Sequence, residues 1–268
     1  SRTPQGRVRS IGGKVLGFHQ VHSQVLNVSI RDLAGTPLKH SHVMKTVFEM
    51  VRDQLSGGQR PLLQAVHSSK TGLVSPGLSG ILEVRKTFGD RVDVVVDACQ
   101  GRISRYDLKG YLDAGCMVLL TGSKFFSGPP FSGALLCHPR LVKTIPSSTS
   151  LPIGLRDFIS AEMIPRPMLT QEDMNMPVTL DTLGTCLRWT AAESEMNSFR
   201  KVQEQYVQSS LHDFHENANE LADRFNWDIW ENNAADAVDY SYRSLSTESI
   251  ITIVPRDRRL SSSRDLLN

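Results

Sequence analysis

No apolar run in the 268 residues approaches the roughly 18 that a membrane-spanning helix needs, so no membrane partner is expected. An excess of either charge is missing too. Thirty Lys and Arg stand against 28 Asp and Glu, a formal +2 with both signs interspersed. Such a balance gives nucleic acid or an anionic surface no electrostatic reason to bind. Cys-x-x-Cys pairs are absent: Cys99, Cys116, Cys137 and Cys186 stand apart, which argues against a metal site or a disulfide framework. Three of them fall in or beside apolar strand patterns and Cys186 falls in a helical one, so all four read as reduced, small core residues of a cytoplasmic protein. Ser1 to Arg7 is basic but has no apolar segment behind it, so it is no secretory signal. No internal repeat is visible, and no initiator methionine opens the chain. The expectation is a part of a longer or processed polypeptide.

What is present is an ordinary globular composition, 40% hydrophobic and 22% charged, enough for a large core. The most informative stretch runs from Val92 to Pro139. Val92 to Val96 is short and β-branched, as a parallel strand buried on both faces should be, and it ends at Asp97. That places an acid at the carboxyl edge of a sheet, where open α/β folds bind their ligands. A helical segment follows, Tyr106 to Ala114, then an apolar strand, Met117 to Leu120, which leads into Thr121-Gly122-Ser123-Lys124. Lys124 therefore also stands at a strand end, one strand-helix-strand unit beyond Asp97. Two aromatics and a Gly/Pro turn come next, Phe125 to Pro130, then a third strand, Gly133 to Cys137.

Upstream, Val25 to Ile30 alternates as a strand, Arg31 to Pro37 reads as a turn, and a helix from Ser41 stops at Gly57-Gly58. Pro61 to Val66 is a strand, and Gly77 to Phe88 a helix. This alternation predicts an α/β fold with a mostly parallel sheet and right-handed crossovers. Downstream, Pro146, Pro152, Pro165, Pro167 and Pro177 rule out a long regular element. Val178 to Phe225 reads as one long helix or two joined near Asn197-Ser198. Trp227 to Trp230 and Ser249 to Val254 read as short strands. The expected division is a large cofactor-binding domain over 1–150, and a connecting loop, long helix and start of a small α+β domain over 151–268.

A carboxylate and an amine held one crossover apart suit a pyridine-ring cofactor, the acid on the ring nitrogen and the amine on the aldehyde. Asp97-Ala98-Cys99-Gln100, Thr121-Gly122-Ser123-Lys124 and Gly128-Pro129-Pro130-Phe131-Ser132-Gly133 together resemble the pyridoxal-phosphate enzymes of fold type I, above all the class V aminotransferase and cysteine desulfurase superfamily. The resemblance covers the middle third of the chain. It implies pyridoxal 5'-phosphate as cofactor, Lys124 as the Schiff-base lysine, Asp97 on the pyridinium proton and Gln100 near the ring hydroxyl. It further implies hydroxyls of Thr121 and Ser123 at the phosphate, and a homodimer.

Several family features are absent. The Asn-Glu-x-Gly turn after the preceding strand is replaced, with Ser69 and Lys70 ahead of Gly72, so Ser69 is carried only as a site-lining residue. No Gly-rich phosphate turn precedes a helix; Gly12-Gly13-Lys14 is a weak substitute, and His19 and His22 are the candidates for stacking on the ring. Ser123 stands where the desulfurase branch has a His, and Cys186 lies in a helical pattern where a buried thiol is inert. Arg256 to Arg264, charged and serine-rich, reads as a solvated turn, with a planar-fork hold on a substrate carboxylate by its arginines as the alternative.

The expectation is thus an aminotransferase-like enzyme acting on the amino group of an amino acid or related amine, with lyase chemistry as a variant. A degenerate fold kept for a structural or interaction role is the rival. A cysteine desulfurase is a third, weaker one.

Overall fold

A computed structural model describes Gly17, 24–144, 152–157, 159–175, 180–230 and 245–256. Its centre is a four-stranded sheet in the order β1 (Leu62–Val66), β2 (Asp93–Asp97), β3 (Met117–Thr121) and β4 (Gly133–Cys137). The first three are parallel and β4 runs antiparallel to β3, so the sheet is mixed and mostly parallel.

Helices α1 (His40–Ser56), α2 (Leu78–Phe88) and α3 (Arg105–Asp113) flank it, the last two as the crossovers between successive parallel strands. Alternation along the strands decides what is covered. Ala65, Val94, Val96 and Val118 are in register on one face and almost wholly buried, joined there by Ile81 and Val84 of α2 and Val47 and Val51 of α1. Each of the Val and Ile side chains contributes about 1.5–3 kcal/mol by leaving water, which makes this face the main source of stability. The opposite face, carrying Val95 and Asp97, is only half-buried.

Local chemistry sets the helix ends. The Ser104 hydroxyl accepts from the Asp107 amide at 2.9 Å and donates to the Asp107 carboxylate at 2.6 Å, which caps α3. Arg85, near the end of α2, donates to the carbonyls of Val92, Ala114 and Gly115 and so ties both crossovers to their strands.

The chain continues through α4 (Pro139–Thr144), a run of short 3-10 turns and α5 (Gln171–Met174). The described part of the proline-rich stretch is therefore irregular, as expected. Two long helices follow, α6 (Leu180–Phe199) and α7 (Glu204–Arg224), which part at Arg200 to Gln203, a few residues beyond Asn197-Ser198. A separate antiparallel pair, β5 (Trp227–Trp230) and β6 (Thr252–Pro255), with α8 (Leu245–Glu248) between, packs on α7. Among the described residues no helix is long and apolar enough to cross a membrane.

Two expectations fail. Val25 to Ile30 forms no ladder; only an isolated Arg31–Pro37 bridge and one bond from the Leu38 amide to the Ile30 carbonyl close the turn after it. An alternating segment needs a neighbouring strand to become one, and Val25 stays 82% exposed without it. Cys186 is exposed on α6 and not a core residue, because its helix turns that side to solvent together with Leu183 and Leu187.

Candidate functional site

β2 and β3 end side by side. Asp97 is in register with Leu119, so Asp97, Leu119 and Thr121 share the half-buried face. The ladder holds to its last rung: the Ala98 amide donates to the Leu119 carbonyl at 3.0 Å and the His67 amide to the Asp97 carbonyl at 2.9 Å. The Asp97 side chain is held in turn by the Cys99 amide, which donates to its Oδ1 at 3.0 Å.

Cys99 follows Asp97 in the loop after β2. Burial pushes its thiol pKa up to about 11, the hydrogen bond and negative charge of Asp97 push the same way, and the ammonium of Lys124 pulls it down. Asp97 thus acts on this thiol by hydrogen bond and by charge, and Lys124 by charge alone as the smallest of the causes.

Lys124 is exposed and opens a tight turn, in which the Ser127 amide donates to the Lys124 carbonyl at 2.9 Å. Before it, the Thr121 and Ser123 hydroxyls are 2.8 Å apart and hydrogen-bonded, so the two act as a pair. Behind it, Phe125 and Phe126 pack edge-on against Phe199 at the end of α6. The same face of α6 brings the Trp189 indole N–H to the Gly133 carbonyl at 3.3 Å and seats Ala192 against the turn. A Cβ on Gly122 would lie 2.3 Å from the Ala192 methyl, so only glycine admits the helix this closely.

Gln100 is half-buried beside Asp97, its side-chain and main-chain oxygens each 3.4 Å from Nη1 of Arg102. The Arg102 guanidinium lies 5.0 Å from the centre of the Phe125 ring, against the Lys124 turn. Burial lowers its pKa. The sequence reading did not single out Arg102; its signal was the Gly101-Arg102 step directly after Gln100, before the Ser104 cap.

Ser69 stands in the loop after β1, next to the end of β2. Its hydroxyl accepts from the Leu73 and Thr71 amides at 3.0 and 3.2 Å and is bonded to the Thr71 hydroxyl at 3.1 Å. It therefore shapes its own loop, which Arg31 braces by donating to the Thr71 carbonyl and hydroxyl. His67, at the start of that loop, is buried, with Nδ1 3.1 Å from the Tyr111 hydroxyl of α3. It turns toward the helices, away from the face that carries Asp97.

Arg256 is engaged elsewhere, donating to Asp228 at 2.7 Å and paired with Asp223. Arg258, Arg259 and Arg264 lie outside the described residues, as do Gly12, Gly13, Lys14, His19 and His22.

The side chains gathered at the ends of β2 and β3 are a carboxylate, a primary amine, an amide, two paired hydroxyls and a guanidinium. Such a set fits a ring that carries a basic nitrogen, an aldehyde, a hydroxyl and an oxyanion. Comparison with family models and with curated proteins gives no match.

Proposed function

We propose that the chain is an aminotransferase-like, pyridoxal-phosphate-dependent enzyme of fold type I, acting on the amino group of an amino acid or related amine. What supports it most is the order of the sheet: Asp97 ends β2, and Lys124 follows Thr121, the last residue of the adjacent parallel strand β3, by three positions. The class V superfamily, a homodimer and a cytoplasmic setting belong to the same reading.

When bound, the cofactor supplies an electron sink that makes the carbon next to the substrate nitrogen acidic. The protein's part is placement and proton transfer. Lys124 Nζ is the amine that would hold the aldehyde, and it would also be the base that takes and returns the proton on that carbon. The Asp97 carboxylate would hold the proton of the ring nitrogen, and the Cys99 amide keeps that carboxylate oriented. Gln100 would serve the ring hydroxyl, and the Thr121–Ser123 hydroxyl pair would offer donors to the phosphate.

The test is spectroscopic. Adding pyridoxal phosphate to the full chain should give the near-ultraviolet or visible band of an aldehyde joined to a lysine, and Lys124→Ala should lose it. A band that survives in Lys124→Ala refutes the assignment. No band and no thermal shift in the unaltered protein would favour the degenerate scaffold, a reading that the engaged hydroxyl of Ser69 also favours.

A further inference from the structure

We infer that Arg102 is an oxyanion-binding residue of this site, receiving a carboxylate or phosphate group of the molecule whose reactive end lies at Lys124. The observation is a cation held in place without a counter-ion. Arg102 makes no ion pair among the described residues, its Nε is buried with no hydrogen-bond partner there, and its Nη1 has only the two long contacts to Gln100.

The guanidinium carbon lies over the Phe125 ring, 5.0 Å from its centre. Gly101 has φ +75, and a Cβ there would lie 3.4 Å from the Thr121 carbonyl and 3.6 Å from the Phe125 and Phe126 side chains, so the left-handed backbone and not the space calls for glycine. A planar fork with donors to spare matches the two oxygens of a carboxylate or phosphate in parallel hydrogen bonds. A half-buried cation left unpaired costs stability, and an incoming anion relieves that cost. Its place beside Gln100 and the Lys124 turn makes the anion part of the same ligand. Only that last point rests on the pyridoxal reading.

The experiment follows the Arg102 Nε–H resonance in the full chain labelled with nitrogen-15, assigned by its loss in Arg102→Lys, as inorganic phosphate or acetate is added. A saturable shift with either anion is expected, with Arg102→Gln binding that anion about tenfold or more weakly by calorimetry. No saturable shift with either anion overturns the inference, as does equal binding by Arg102→Gln.

Two further arms separate the sources. If Arg102→Gln loses affinity for pyridoxal phosphate but not for pyridoxal, the anion is the cofactor's phosphate. If it instead loses the preference for an amino acid over the corresponding decarboxylated amine, the anion is the substrate's carboxylate. Should the unaltered protein give no lysine-aldehyde band, the pyridoxal reading fails, while the anion titration still decides the role of Arg102.

Discussion

Cys99 offers a chemical measure of the site that needs no ligand. With its pKa pushed up to about 11 by burial and by Asp97, the thiol is ionised in only about one molecule in a thousand at pH 8. Alkylation of Cys99, followed by peptide mass spectrometry, should be slow at that pH and far slower than that of exposed Cys186. Asp97→Asn removes a charge that disfavours the thiolate and should speed the reaction, whereas Lys124→Ala removes one that favours it and should slow it. If both substitutions leave the rate unchanged, the two side chains do not converge on this sulfur.

His67 makes a second prediction at this scale. Burial pushes its pKa below the ordinary 6.5, against a smaller upward pull from Asp107. Its Nε2 has no hydrogen-bond partner among the described residues, so a proton there would gain nothing to offset the lost hydration. Between the two pKa values the unfolded chain binds more protons than the folded one, so the contribution of His67 is complete above about pH 6.5 and is lost as pH falls below it. Urea unfolding should show a stability loss between about pH 7 and about pH 5 that is smaller in His67→Gln.

Among the elements, those with internal signals were legible in the sequence. α1 to α3 have buried residues spaced to one face and stops or caps at their ends, and β1 to β4 are short apolar runs bounded by turns. The energetics follow the same local features. Ser104→Ala should cost about 1 kcal/mol by uncapping α3, and Ile81→Ala, which empties a fully buried position on α2, about 2–5 kcal/mol, both read by denaturant unfolding. Equal and small losses at the two positions would mean that α2 does not form the core.

What was not legible depends on neighbours. Whether Val25 to Ile30 pairs depends on a strand elsewhere, the direction of β4 on the turn from Phe125 to Ser132, and the exposure of Cys186 on which side of α6 meets the sheet. The candidate site divides likewise. Asp97 could be placed from its strand end, but the turn that carries Lys124 three residues past β3, the engagement of Ser69 by its own loop and the presence of Arg102 come from features that the alternation pattern does not describe.

At the scale of the whole molecule, the feature that connects distant parts of the chain is the seating of α6 on the Lys124 turn. Trp189, Ala192 and Phe199 lie on one side of that helix and touch Gly133, Gly122 and the Phe125–Phe126 pair respectively. α6 then passes through the break at Arg200 into α7, which carries the β5–β6 pair. Any shift of that second half must therefore move or release the turn that holds Lys124. A methyl at Gly122 has no room beside Ala192, whose exposure is 0%, so Gly122→Ala should destabilise by about 1–3 kcal/mol and speed amide exchange in α6. Ala192→Gly alone should cost about 1 kcal/mol through helix propensity. Because the Gly122 methyl and the Ala192 methyl compete for one volume, the double variant should be more stable than the sum of the single losses allows. Strict additivity in unfolding free energy would show that the helix does not rest on the turn, and would uncouple Lys124 from the second half of the chain.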